Sequence, residues 1–250
     1  MIQRTMPTTK PSPKGKTSAY RLSHPNQRGQ HNNESSRKSD FKTPSLLIEK
    51  ELWEQGHNFV CGLDEAGRGA LAGPLVTAAV ILPHEFVDFG IRDSKDLNAK
   101  RREKIFFKIQ KDAIAWAVGI TDVSDIDKFG IQSATYLSFN KAIDSLAVKP
   151  NFLIIDFYRL PASKILQRPV KFGDRISYSI AAASILAKVT RDKIMFELGN
   201  STEGKKYDFA KNLGYGTSSH KTKIKKFGLS IHHRRCYCSV DEKTQKSFNF

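Results

Sequence analysis

The chain has 250 residues, with 41 Lys+Arg against 25 Asp+Glu and a formal charge of +16; 39 % of its residues are hydrophobic and 10 % aromatic. That is enough apolar material for one real core, and the length fits one large domain with tails. No run approaches the ~18 apolar residues of a membrane span, and three cysteines (Cys61, Cys236, Cys238) are too few for a disulfide scaffold. A reduced, cytoplasmic setting is expected, because the first residues lack the apolar stretch of a secretory signal.

The charge is uneven. Residues 1–45 hold nine basic and two acidic residues, residues 46–202 hold 21 and 19, and residues 203–250 hold 11 and four. A balanced body is therefore flanked by two basic ends, which favours a polyanionic partner. Residues 1–45 are rich in Ser, Thr, Pro, Asn and Gln and poor in large apolar residues. Such a stretch buries too little surface to offset its ordering entropy, so it reads as a disordered basic tail. Residues 241–250 read as a second, polar tail.

Elements follow in chain order. Asn58-Phe-Val-Cys-Gly-Leu63 reads as a first strand that ends at Asp64-Glu65, and Leu75–Leu82 as a second that Pro83 stops. Asn98 can cap a helix with Ile105, Phe106 and Ile109 on one face. Residues 113–120 predict a third strand and residues 131–146 a helix. Phe152-Leu-Ile-Ile155 predicts a buried strand running into Asp156, and Ile176–Leu198 a long Ala-rich helix. Strands alternating with helices give an α/β layer architecture. In such sheets ligands bind beyond the carboxyl ends of the strands. Asp64 and Asp156 both lie there, and two carboxylates meeting at one place need a cation between them.

Asp64-Glu65-Ala66-Gly67-Arg68-Gly69 is the most informative hexapeptide. Adjacent strand residues point to opposite faces, so Asp64 and Glu65 share a site only if the strand ends and the backbone turns. Gly67 and Gly69 permit a turn and leave room for a ligand near the main chain, while Arg68 suits phosphate. By itself the segment reads first as an acidic strand end followed by a Gly-rich turn.

Cys61-Gly-Leu-Asp-Glu-Ala-Gly-Arg-Gly69 with Ala72-Gly-Pro-Leu-Val76 resembles the opening of the ribonuclease HII family. Four further blocks match in order. They are Asp93-Ser-Lys-Asp-Leu97 with Lys100-Arg-Arg-Glu103, the helix block Ser179–Asp192, Gly214-Tyr215-Gly-Thr217 with His220, and His233-Arg234-Arg235. The resemblance spans roughly residues 58–240. It implies a ribonuclease H-like α/β fold: a central mixed sheet flanked by helices, with a small helical C-terminal region at about residues 200–240 of a catalytic domain covering 46–240. It implies an endoribonuclease cutting the RNA strand of RNA–DNA hybrids and 5′ of single ribonucleotides in duplex DNA, leaving 3′-hydroxyl and 5′-phosphate ends. A fold-retaining nucleic-acid binder and a ribonuclease needing several consecutive ribonucleotides are the alternatives.

Carried over by position, the catalytic and metal-binding carboxylates are Asp64, Glu65, Asp156 and Asp174. Asp174 also sits where a helix cap would. Four oxygen donors suit Mg²⁺ or Mn²⁺ and a two-metal displacement. The Gly67-Arg68-Gly69 backbone and Tyr215 would sense the ribonucleotide's 2′-hydroxyl, and Ser94, Lys95 and Lys188 would hold phosphates. Asp192 is expected to pair with Arg191 or Lys188. Residues 221–226 form a basic helix candidate, and Cys236-x-Cys238 with His232 and His233 has no second half-site, so zinc is not expected. A monomer without membrane association is expected. In one departure from the family, Phe157-Tyr158 stands where glycine and asparagine usually follow the aspartate.

Overall fold

The computed structural model describes residues 43–85, 88–91 and 98–237. The elements are α1 (Leu47–Glu54), β1 (Val60–Ala66), β2 (Leu75–Ile81), α2 (Ala99–Asp112), β3 (Ala115–Thr121), α3 (Val123–Asp144), β4 (Phe152–Asp156) and β5 (Leu166–Val170). After a 3₁₀ turn at Gly173–Arg175 come α4 (Tyr178–Asn200), α5 (Thr202–Tyr207), α6 (Phe209–Asn212) and α7 (Ser218–Phe227).

The five strands form one sheet in the order β3-β2-β1-β4-β5. β1, β2 and β3 run antiparallel, while β1, β4 and β5 run parallel. The sheet is mixed, as the resemblance implies. Alternation along the strands divides the core between its faces. Val76, Ala78 and Val80 pack on α4 and α2, and Cys61, Leu63, Ala79 and Ile81 pack on Phe139, Ala142 and Ile143 of α3. Two glycines let the helices approach. A β-carbon at Gly62 of β1 would collide with the Ser179 carbonyl carbon of α4, and one at Gly119 of β3 with the Ser138 carbonyl oxygen of α3.

The cap at Asn98 is present: its side-chain oxygen accepts the Arg101 N–H at 2.9 Å, and Ile105, Phe106 and Ile109 are buried. The helix expected at residues 131–146 is present, starting at Ile131 after a break at Gly130, whose φ of 76° and ψ of 158° are not helical; a shorter helical stretch precedes it from Val123. Residues up to 129 belong to the same element but lie on the other side of that break. The strand β5 went unpredicted because Pro169 lies inside it; as an edge strand it tolerates proline.

Order reaches back into the segment expected to be a tail. Ser45 forms a bridge with Ser177, donating its N–H to the Ile176 carbonyl and accepting from the Tyr178 N–H, both at 3.0 Å. α1 follows, and its buried Glu49 accepts from the Ser177 hydroxyl at 2.7 Å and the Ser179 N–H at 2.8 Å, satisfying the start of α4. Residues 1–42 and residues 238–250 lie outside the described residues.

Candidate active site

β1 and β4 pair in parallel as far as Leu63 opposite Ile155. The next residues along are Asp64 and Asp156. Neighbouring strands stand about 4.8 Å apart, so the two carboxylates leave the sheet side by side. Both belong to the face covered by α4: Asp64 is hydrogen-bonded to Ser184 of that helix, and Ile154, two residues before Asp156, packs on Ile180.

The strand does not end at Asp64, as the sequence had suggested. β1 continues to Ala66, held by β2 through the pairs Glu65–Thr77 and Ala66–Val76. What ends is its pairing with β4. The overhang opens a cleft of about 400 Å³ at the tip of β4, and Asp64, Glu65, Asp156 and Asp174 all line it. Glu65 therefore borders the same cleft although it points to the opposite side of its strand.

Asp174 lies in the 3₁₀ turn before α4 and is not that helix's cap. Ser177 takes the role, its hydroxyl accepting the Ile180 N–H at 3.2 Å. The turn is anchored on Asp156, whose Oδ1 accepts the Gly173 N–H at 2.7 Å.

Burial and mutual repulsion make this an unfavourable place for negative charge. Burial, then Glu65 and Asp156, raise the Asp64 carboxyl well above its usual range. Glu65 is pushed up to about 7, by burial and then by Asp156, with Arg68 opposing. Asp156 is raised by burial, with Asp174 adding to the effect and the Gly173 N–H working against it. The Glu65 Oε2 atom is buried and meets no hydrogen-bond donor of the protein. Among the described residues, no three such groups are already drawn together as a metal cage. The carboxylates share a cleft rather than a finished coordination shell.

Cations and an aromatic ring stand opposite. Arg102, Lys188 and Tyr215 line the cleft. Lys188 pairs with Asp192 at 2.6 Å, as one of the two expected partners, and Arg102 lies 3.8 Å from the same carboxylate. Arg191, the other expected partner, is fully buried and turns elsewhere: its Nε and Nη2 donate to the carbonyls of Pro74 and Ala72 at 3.0 and 3.1 Å. The Tyr215 ring lies against both Lys188 and Arg191, with the charges 5.5 and 5.0 Å from its centroid.

The Gly67–Gly69 loop is clamped from behind. Gly67 has a φ of 86°, and a β-carbon there would strike the Arg191 guanidinium. Gly69 is exposed, with open space where a β-carbon would stand, so internal packing does not demand glycine there. The Arg68 side chain turns to the Tyr158 hydroxyl and to Gln132, 2.8 Å away, and does not line the cleft. The Arg68 carbonyl accepts from Arg234 at 2.9 Å and from the Tyr237 hydroxyl at 2.8 Å.

Ser94 and Lys95 lie outside the described residues. Arg102, Ser184, Arg191 and Arg234 escaped the sequence reading of the site. All four lie inside matched blocks, but their contacts could not be read there: those of Ser184, Arg191 and Arg234 span more than 100 residues.

His220 and His233 are a hydrogen-bonded pair. The Ser230 N–H donates to His233 Nδ1 at 3.0 Å, so His233 Nε2 carries the proton toward His220 Nε2, 3.0 Å away. His220 Nδ1–H then donates to the Tyr215 carbonyl at 2.9 Å. The chain of donors runs one way and needs both rings neutral. The pair holds the backbone of the Tyr215 turn. Cys236 lies near the Ile126 carbonyl and is not part of this pair.

A sequence profile of the family described as Ribonuclease HII matches residues 61–240. Ribonuclease HII of Desulfitobacterium hafniense is 47 % identical over 197 residues, covering 79 % of this chain and 75 % of that protein. Ribonuclease HII of Caldicellulosiruptor bescii is 44 % identical over 187 residues, covering 75 % and 90 %. Among solved structures, ribonuclease H2 of Pyrococcus horikoshii superposes with a TM-score of 0.62 at 25 % identity, covering 75 % of this chain and 97 % of that one. Bst-RNase HIII, solved in complex with Mn²⁺, gives 0.52 at 20 % identity, covering 74 % of each chain, and shows the shared fold. The chain belongs to the ribonuclease HII family and is a ribonuclease of the kind that acts on RNA–DNA hybrids.

Proposed function

We propose that this protein is an endonuclease that cuts the RNA strand of hybrids and also cuts 5′ of a single ribonucleotide embedded in duplex DNA, leaving 3′-hydroxyl and 5′-phosphate ends. The observation that carries the reading is the in-register placement of Asp64 and Asp156, with Glu65 and Asp174 bordering the same cleft. A cluster of acids is a poor place for a phosphate until its charge is balanced. An oxygen-only donor set, the partnerless Glu65 Oε2 and the raised carboxyls all suit divalent cations, Mg²⁺ or Mn²⁺.

Asp64, Glu65, Asp156 and Asp174 would hold these ions. When bound, the ions supply an activated water and a stabilised leaving oxygen for in-line hydrolysis. The chain's own part is to place the phosphate. Lys188 and Arg102, with Ser94 and Lys95, take phosphate oxygens. In this reading the Gly67-Arg68-Gly69 main chain hydrogen-bonds the 2′-hydroxyl, and the open space at Gly69 supports it by leaving room for the sugar. The Tyr215 ring stacks on the deoxyribose across the junction, steadied by Lys188 and Arg191. The catalytic domain in this reading spans residues 46–240, its helical part at about 200–240 gripping duplex, and it works as a monomer.

The test is a duplex carrying one ribonucleotide, incubated with Mg²⁺ and then with EDTA. Cutting 5′ of the ribonucleotide in Mg²⁺ alone is expected. Cutting only when a run of four ribonucleotides is present would replace the reading with a ribonuclease needing consecutive ribonucleotides. Binding without cutting in either metal would reduce the protein to a binder.

A further inference from the structure

Two phenylalanines flank the Asp156–Gly173 hydrogen bond. Phe157 follows Asp156, and Phe172 precedes Gly173. Both have left-handed backbones, with φ of 62° and 58°. Both side chains face solvent, at 64 % and 60 % exposure. Either feature opposes the fold: the left-handed region disfavours bulky residues, and an exposed phenyl gains nothing from burial. Glycine would meet the backbone demand at both positions without penalty. Packing inside the protein accounts for neither ring, since Phe157 makes only an edge contact with the buried Tyr158 ring, 5.4 Å between centroids.

The segment that joins them is cationic, between the cleft acids Asp156 and Asp174. Lys171 lies 5.5 Å over the Phe172 ring. Residues 157–173 contain Arg159, Lys164, Arg168 and Lys171 and no acid; Arg168 is occupied by Glu51. Arg159 and Lys171 are exposed beside the two phenylalanines. Aromatic faces set among cations, at the lip of a cleft that acts on a phosphodiester, match the way proteins hold nucleic acid.

We infer that Phe157, Phe172 and Lys171 form a second nucleic-acid contact on the β5 side of the cleft, pressing on the sugars of the minor groove beside the reacting phosphate. The proposal rests on the nuclease reading above and adds to it a surface on the segment between β4 and α4. A 2′-hydroxyl is displayed in the minor groove, which is wide and shallow in A-like duplexes and narrow in B-form DNA. Flat rings therefore reach the sugars of a hybrid better than those of plain DNA. The surface selects duplex shape.

The experiment compares wild type with the double variant Phe157→Gly, Phe172→Gly and with Phe157→Tyr, Phe172→Tyr. Hybrid and all-DNA duplexes are bound in the presence of Mg²⁺, with Asp64→Asn added to each protein to suppress cutting. Cleavage is then followed with Asp64 intact. Expected are a rise in hybrid Kd and KM of about tenfold or more, kcat within twofold, and Tm unchanged or raised. The tyrosine pair restores affinity, and the loss on all-DNA duplex is smaller. Lys171→Gln lowers the slope of log K against log salt by about 1. Unchanged Kd and KM in the glycine pair, or equal losses on both duplexes, overturn the proposal. A wild type that cuts nothing, while the glycine pair still loses hybrid affinity, removes the nuclease reading and leaves this surface standing.

Discussion

Asp64 and Asp156 stand side by side on adjacent parallel strands, one residue beyond the last β1–β4 pair, Leu63 with Ile155, each still paired on its outer side, with Ala78 and with Val170. Their repulsion is built into the sheet. In Asp64→Asn one charge leaves the cluster with little change of shape. Cleavage falls by at least about a hundredfold, because a donor for the ions is lost. In EDTA the same variant is more stable than wild type, by about 2–4 °C in Tm for each kcal/mol of repulsion relieved. Assays paired with calorimetry in EDTA check both signs; a lower Tm in EDTA would contradict the electrostatic reading.

The pH dependence of the metal-free protein follows from Glu65. Its carboxyl titrates at about 7 when folded, against 4.5 ordinarily. A folded-state value above the unfolded one gives stability that is complete below pH 4.5 and is lost as pH rises through about 7. Urea unfolding in EDTA is expected to show this loss, and Glu65→Gln to abolish the Glu65 share. Mg²⁺ favours the ionised carboxylates and is expected to reverse the trend above pH 7. An identical pH profile with and without Mg²⁺ would contradict it.

The histidine pair works in the opposite direction. Burial first, then the charges of His220 and His232, lower His233 from 6.5 to about 4. Its contribution is complete above pH 6.5 and is lost as pH falls through about 4, roughly 3 kcal/mol in all. Protonation of either ring breaks the donor chain that ends on the Tyr215 carbonyl. NMR titration is expected to keep the His233 ring neutral down to about pH 4. A midpoint near 6.5 would show that the pair does not hold that turn.

How much of this was legible depended on the range of each interaction. Asp156 could be read because an apolar run ends in an acid, and Asn98 because a cap acts within three residues. Asp174 had two readings, and position alone could not divide them; Ser177, three residues on, holds the cap. The route by which Glu65 reaches the cleft was hidden, because it depends on β4 being shorter than β1 rather than on β1 itself. Gly62, Arg191 and Arg234 were equally opaque. Each acts on backbone more than 100 residues away, and their own neighbours in sequence do not reveal it.

Gly62 gives a direct test of how the sheet meets α4. Any β-carbon there strikes main chain at Ser179 and Ile180, which cannot turn aside as a side chain would. Gly62→Ala is expected to lower stability by at least about 1–3 kcal/mol, the range for overpacking a tight core. Denaturant unfolding measures it. A neutral result would mean that α4 shifts freely over β1, carrying Ser184 away from Asp64.

The most direct test of the shared cleft is a crystal structure with Mn²⁺, phased on the metal's anomalous signal. Peaks within coordination distance of both Asp64 and Asp156, with Glu65 or Asp174 completing the oxygen set, are the predicted result. A cleft without anomalous density, or Mn²⁺ held elsewhere on the chain, would contradict the account.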